Sequence, residues 1–442
     1  MLPALAVAIA ICAVAARGWA SDAPGQSAQA TATTAGAANP AAAPQPRGYT
    51  LPKEKYQKAI AYSRAGYRLY FAGVPYEALV LLAVLGLGWG SKFRDLAERA
   101  SRFRFVQAVV FTSLLLVTLG IARLPLGAYG HWLAVKYEQS VQGWPSWLWD
   151  AIKGQFVAIV IYSVSVWILY GIIRRSPRRW WFHFWLATIP LGVLMAVVSP
   201  VVIEPLFNNF EPLAAKQPAL AAEMERVMAR GGLKIPPERM LEMKASEKMK
   251  SLDAYVTGFG PTKRVVVYDT TIAKMSTPEI LFVFGHEMGH YVLCHILKGM
   301  VFGSALFLAG LYLAFLWIDW AVARWGSRWG IRSVDDWASL PALMLFAAVF
   351  GFLVTPVGNA YSRYYEHQAD VYGLEAIHSI VPNSAQVAAQ AFQVLGEVDL
   401  ADPAPPPFIR FWLYSHPPLN ERIVFAQSYD PWSKGESPQF VK

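Results

Sequence analysis

The sequence predicts a mainly α-helical, polytopic membrane protein that carries a small α+β portion. Three observations predict it. Hydrophobic residues make up 55% of the 442 residues and charged residues only 16%, against a usual charged share of about 25%. Six apolar runs approach or reach the ~20 residues that a spanning helix needs. Between the fourth and fifth runs lies a polar stretch, 205–278, of ordinary soluble composition. This balance excludes a disordered chain and a disulfide-rich secreted scaffold.

Residues 1–20, MLPALAVAIAICAVAARGWA, form an apolar run of signal-peptide length ending at the small-x-small pattern Gly18-Trp19-Ala20. No Lys or Arg precedes the run and Arg17 interrupts its end, so a retained anchor stays open beside a cleaved signal. Residues 21–47 are Ala, Pro, Thr, Gln and Ser, a linker that can bury no core. Residues 48–204 form an N-terminal membrane region, with a mixed helical stretch at 50–72 and spans at 74–91, 105–123, 155–173 and 180–203. Runs such as Ala78–Leu87 and Phe302–Ile318 are too long and too uniformly apolar for helices of a soluble core.

Residues 205–298 are a polar insert followed by one more helix. Ala219–Gly231 reads as an amphipathic helix, and Met240–Met243 alternates like a strand. Ala254–Gly260 and Arg264–Thr271 read as two strands joined by the turn Gly-Pro-Thr-Lys. At Thr277-Pro278-Glu279 a hydroxyl N-cap, a Pro at the first helical position and an acid in the first turn predict a helix start. Residues 299–358 hold two further spans, 300–322 and 337–358, and 359–442 form a C-terminal helical region.

The net charge of +9 has an address. The segments 92–104, 174–179 and 324–332 hold twelve Lys and Arg against Asp95 and Glu98. With six spans all three fall on one face, opposite the 205–278 insert. The positive-inside rule makes that face cytoplasmic, and no nucleic-acid surface is implied. Lys53, Lys55, Lys58, Arg64 and Arg68, ahead of the first span, argue the other way. The two cysteines, Cys12 and Cys294, are too few to reveal the redox compartment.

The helix from Thr277 carries the chemistry. It contains His286-Glu287-Met288-Gly289-His290, an H-E-x-x-H pattern. Helical residues four apart share a face, so both imidazoles can hold one ion, and Glu287 stands beside that ion, placed to take a proton from water. Zinc suits two imidazoles and one carboxylate with a position left open. Glu366 supplies the carboxylate, and Asp370, four residues on, can accept the outer N–H of a ligating histidine. Cys294 as a fourth ligand would close the site, and His295, about 140° around the helix from His290, is not made a ligand. His131, His183 and His378 fit no pattern and read as interfacial or surface residues.

H-E-x-x-H, then Ser362-Arg363-x-x-Glu366-x-x-Ala369-Asp370, then Ser415-His416-Pro417-Pro418-Leu419-x-Glu421-Arg422-Ile423, resembles the Ste24-type CAAX prenyl proteases of the M48 metallopeptidases. The likeness runs from about residue 55 to about 425 and includes the strand pair around Ala254 and Arg264. It implies a helical membrane chamber with a zincin-like α+β catalytic portion, one Zn2+ per chain on His286, His290 and Glu366, and Glu287 as general base and acid. It puts Asp370 behind the ligands, Arg363 and His416 near the substrate and developing oxyanion, and Asp253, Ala254 and Tyr255 on the strand that pairs with substrate. One departure is Asp253, where the family usually has Asn, since an ionised acid accepts but cannot donate. Another is the short stretch from Asp269 to His286, which lacks the long insert of eukaryotic members.

The implied function is zinc-dependent hydrolysis of peptide or protein substrates, lipidated or membrane-associated, with membrane lipid around the chain. The narrow form processes prenylated C-termini; the broad form is membrane protein quality control. A non-catalytic membrane scaffold with a degenerate zinc site is the competing class, against which the intact His286, Glu287, His290 and Glu366 set argues. The signal-like start and Ala/Pro linker read as bacterial, which predicts an inner-membrane protein with its catalytic face outward.

Overall fold

The structure, a computed structural model, describes residues 48–258 and 262–442. The expected signal or anchor, the 21–47 linker, and Gly260 and Pro261 of the expected turn lie outside the described residues. Helices α1 (Lys53–Gly86), α2 (Trp89–Ala100), α3 (Arg104–Lys136), α4 (Trp144–Arg175) and α5 (Trp180–Val198) come first. The insert follows with β1 (Phe210–Pro212), α6 (Leu213–Lys216), α7 (Pro218–Gly231), β2 (Met240–Met243), β3 (Ala254–Thr257), β4 (Arg264–Tyr268) and α8 (Asp269–Lys274). Then come α9 (Thr277–Val292), α10 (His295–Trp329), α11 (Leu340–Ile377), α12 (Ser384–Val398), α13 (Pro407–Leu413) and α14 (Leu419–Ser428). Six of these helices are long and apolar enough to cross a membrane, α5 with its continuation to Leu206 among them.

The spans are longer than their apolar runs. The mixed 50–72 stretch and the first run are one helix, α1, of 34 residues. It ends at Gly86, short of the expected 91, because Gly88 takes a left-handed φ of 67° and turns the chain into α2. The basic 92–104 segment is therefore largely helix, and Arg324 and Arg328 ride on the last turns of α10. The last span runs unbroken to Ile377, so Glu366 and Asp370 sit on a membrane-spanning helix rather than after it. The added stretches of α1, 53–73, and of α11, 359–377, hold no proline to stop a helix, and hydropathy registers only the apolar part.

The three basic segments meet at one end of the bundle. Arg94 of α2 donates to Asp336 at 2.7 Å and to Gly330 O at 2.8 Å, with both side chains of the ion pair buried. Arg332 pairs with Glu98 at 3.0 Å, and the Arg174 guanidinium lies 4.6 Å from the centre of the Trp337 ring. Asp336→Ala would leave the buried guanidinium with Asp95, 2.8 Å away and partly exposed, as its acid partner. It is expected to cost about 2–3 kcal/mol, seen as a lowered unfolding midpoint in detergent. An unchanged midpoint would show the pair to be dispensable.

The sheet order is β1-β2-β4-β3, with β2 and β4 parallel and the other pairs antiparallel. β3 is thus an edge strand, with Ala254 opposite Val267 and Tyr255 opposite Val266. Two strand expectations shorten: β3 stops at Thr257, and β4 stops at Tyr268, where Asp269 opens α8. β1 had no sequence signal, being three residues that include Pro212.

Below the sheet, α9 is buried on most of its face, with Phe282, Phe284 and Met288 at most 1% exposed. Its N-cap is Ser276, one residue earlier than expected, which puts Pro278 at the second helical position. The Glu279 carboxylate reaches back to accept from the Ser276 N–H at 2.7 Å and its hydroxyl at 2.8 Å. Behind the site, buried Glu375 of α11 accepts the backbone N–H groups of Gln439, Phe440 and Val441 and the Tyr429 hydroxyl.

Candidate active site

Two helices make the site, and glycines let them approach. On Gly373 of α11 a Cβ would lie 3.0 Å from His286 N and 3.2 Å from its Cα. On Gly285 of α9 it would lie 3.3 Å from the Gly373 Cα, and on Gly289 2.9 Å from the Tyr372 Cβ. Backbone thus meets backbone where His286, Glu287 and His290 leave α9, and Glu366 and Asp370 leave the facing turns of α11.

The His286 and His290 Nε2 atoms lie 3.1 Å apart. Glu366 Oε2 is 3.2 Å from His286 Nε2, and its Oε1 is 3.5 Å from His290 Nε2. Ligand atoms around a tetrahedral zinc with bonds of 2.0–2.1 Å are about 3.3 Å apart, so the donor set fits that ion. Charge agrees with geometry. Burial alone would lower the pKa of His286, but the Asp370 and Glu366 carboxylates outweigh it and raise it to about 10. The pocket therefore favours a positive charge where the three groups converge. Glu366 Oε2 is also buried with no well-formed hydrogen bond among the described residues.

Behind His286, its Nδ1–H donates to Asp370 Oδ1 at 2.9 Å. Asp370 is 1% exposed and is gripped by Arg422, whose Nε donates to Oδ2 at 2.9 Å and whose Nη2 donates to Oδ1. Arg422 lies 4.2 Å from the centre of the Phe392 ring. Sequence reading passed over Arg422, although it stands in the C-terminal motif. Two signals marked it: an arginine at a helical position, and an acid elsewhere in need of a counter-charge.

Around the cluster, Glu287 Oε1 is 3.8 Å from His286 Nε2 on a partly exposed side chain. His416 Nε2 is 3.1 Å from Glu366 Oε2, and its Nδ1 is 2.9 Å from the Ser415 hydroxyl. Burial lowers His416 to about 4 against the pull of Glu366, so its ring is neutral near pH 7. Among the described residues, Arg363 makes no hydrogen bond to the cluster. Its Nη1 donates to Tyr414 O and, at 3.3 Å, to Arg410 O, the backbone that leads into His416.

The strand residues divide. Ala254 is 1% exposed in the core. Tyr255 turns to the far face, where its hydroxyl donates to Glu204 at 2.9 Å beside Arg264. Asp253 has an exposed side chain. Partial loss of solvation beside the site, then the Glu287 charge, raises it to about 8. A further acid, Asp399, went unnoticed in the sequence. It is 1% exposed, both its carboxylate oxygens lack a hydrogen-bond partner among the described residues, and burial followed by the Asp253 charge pushes it well above the carboxylate range.

Two histidine expectations are corrected. His131 is 2% exposed between Trp144 and Trp147, where an interfacial or surface residue was expected. His295 is not turned away from His290. Helix α9 ends at Val292, Cys294 takes a φ of 57°, and the His295 ring comes back to 5.2 Å from that of His290.

Known proteins place this arrangement. Residues 214–430 match the model for peptidase family M48, and residues 37–209 match that of the CAAX prenyl protease N-terminal region, described as five membrane helices. Within 37–209 the described residues hold four helices of spanning length. An uncharacterised metalloprotease, YhfN of Bacillus subtilis, is 34% identical over 86% of this chain and 87% of its own. CAAX prenyl protease 1 of Saccharomyces cerevisiae is 26% identical over 84% of this chain and 85% of its own. The crystal structure of S. mikatae Ste24p shares the fold, with a TM-score of 0.74 and 24% identity over 86% of this chain and 90% of that one. The chain belongs to peptidase family M48, as an integral-membrane metalloendopeptidase of the Ste24 type.

Proposed function

We propose that the chain is a zinc-dependent endopeptidase that hydrolyses peptide bonds in membrane-associated substrates. The observation that carries this is the convergence of His286, His290 and Glu366 with Glu287 at the rim. When bound there, zinc would polarise the scissile carbonyl and acidify water. The protein's own groups do the rest. Glu287 takes the proton from the attacking water and returns it to the leaving amine. Neutral His416 offers an N–H to the carbonyl oxygen as it becomes negative. Arg363 positions His416 by holding the carbonyls of Arg410 and Tyr414. Asp370 and Arg422 fix the His286 tautomer. The substrate backbone adds to the outer edge of β3, the last strand of the sheet. Residues 205–298 and 359–442 together form the catalytic portion.

Asp253 answers the departure from Asn. Held protonated below about pH 8, it both donates and accepts, as an amide does. Above that pH it loses its proton and can only accept. Activity is expected to fall as pH rises through about 8, and Asp253→Asn to flatten that limb while leaving the neutral-pH rate within a few-fold. A limb that persists in the variant would remove Asp253 as its source.

The bacterial inner-membrane setting rests on the signal-like start and linker, and two features support the site facing outward. The basic segments meet at one end, and Glu366 lies 26 residues along α11 from Leu340 at that end, about 39 Å away. That distance exceeds a hydrocarbon core of about 30 Å. Reporter fusions in the 174–179 segment and after α14 would report opposite sides. The eukaryotic relatives' names point to prenylated substrates, whereas the broad form covers other membrane-associated chains. The test of the core proposal is zinc content of purified protein with chelator-sensitive cleavage of an unmodified peptide. Zinc-free protein that cleaves at full rate would end it.

A further inference from the structure

The two imidazoles at the centre are backed differently. The outer nitrogen of His286 meets the carboxylate Asp370. Among the described residues, the outer nitrogen of His290 meets no acid. Its Nδ1 lies 3.3 Å from His295 Nδ1, and His295 Nε2 lies 3.0 Å from Gln368 Oε1. His295 is 5% exposed and packs on Tyr365 with ring centres 4.5 Å apart. Gln368 stands two residues past Glu366 on α11, so this path leads back to the helix that supplies the carboxylate.

Proton bookkeeping allows one arrangement. To offer a lone pair at Nε2, His290 must carry its proton on Nδ1, which then donates to His295 Nδ1. His295 must accept there and carry its own proton on Nε2. That N–H donates to an oxygen, and Gln368 Oε1 is the oxygen present. If the amide were turned over, its NH2 would push the His295 proton to Nδ1, and His290 would be protonated at Nε2, where it could bind nothing. The chain Gln368–His295–His290 therefore encodes the tautomer.

We propose that His295, oriented by Gln368, is a positioning residue that holds His290 in the metal-binding tautomer. It is a neutral counterpart to the Asp370–Arg422 pair behind His286. This rests on the zinc reading above. The break at Leu293-Cys294 is what makes it possible, because a continuous helix would carry residue 295 away from His290.

The test measures zinc affinity of the full-length protein in detergent by competition with a chromophoric chelator, alongside the unfolding midpoint of the metal-stripped protein. His295→Phe keeps a ring on Tyr365 but accepts no hydrogen bond. It is expected to weaken zinc binding 10–100-fold. Gln368→Leu, at a half-buried position, is expected to weaken it by a smaller factor with an unchanged metal-free midpoint. Gln368→Glu, which restores an acceptor, should bind zinc at least as tightly as wild type. Wild-type affinity in both His295→Phe and Gln368→Leu overturns the proposal. If His295→Phe fails to fold, wild-type affinity in Gln368→Leu overturns it alone. A wild-type protein that binds no zinc would instead remove the reading on which the proposal rests.

Discussion

Glu287→Gln is expected to cut peptide hydrolysis by about a thousandfold or more while zinc content stays at the wild-type level. The amide is nearly isosteric with the acid and keeps an acceptor oxygen, but it cannot take a proton from water or return one to the leaving amine. Zinc should stay because Glu287 stands outside the converging set. That set closes through His286, His290 and Glu366 within 4.8 Å among the described residues, and Glu287 Oε1 stands 3.8 Å from His286 Nε2. The measurement is metal analysis and peptide turnover on the same preparation, followed by capture of uncleaved substrate in native membranes. Turnover at the wild-type rate would show that another group handles the proton. Loss of zinc would show that Glu287 belongs to the metal site.

Gly373→Ala is expected to reduce zinc affinity 10–100-fold without touching any ligand. The new methyl would meet the His286 backbone at 3.0 Å and 3.2 Å, contacts that a flexible side chain cannot relieve. Helices α9 and α11 must then part by a few tenths of an ångström or more. The separations that parting widens are those between Glu366 and the two histidines, now 3.2 Å and 3.5 Å. Gly351→Ala on the same helix is the control, since a Cβ there meets nothing within 4 Å. Equal zinc affinity in both variants would show that the crossing has slack.

The core of the site was legible because it is local. His286 and His290 are one turn apart, as are Glu366 and Asp370, and helical spacing shows both pairs in the sequence. Six spans and the β3–β4 pair were legible for the same reason, each being a pattern within one short window. What escaped depends on contacts between distant segments or on backbone that no residue type announces. Arg422 finds Asp370 across 52 residues. Asp399 gained meaning only from what fails to surround it. His295 was misplaced because arithmetic around a helix assumes the helix continues, and a left-handed Cys294, where glycine would have given warning, ends that assumption. The true lengths of α1 and α11 were hidden because hydropathy marks where a helix is apolar, not where it stops.

The tethers behind the site also set its timetable. The anion that steadies His286 has its arginine 52 residues further along the chain, and Glu375, on the same helix, has its backbone partners 64 to 66 residues further along. During synthesis, both ligand-bearing helices therefore emerge before the arginine and the backbone groups that tie α11 from behind. A chain truncated before residue 422 keeps all six spans and the His286, His290 and Glu366 set but leaves Asp370 without its arginine.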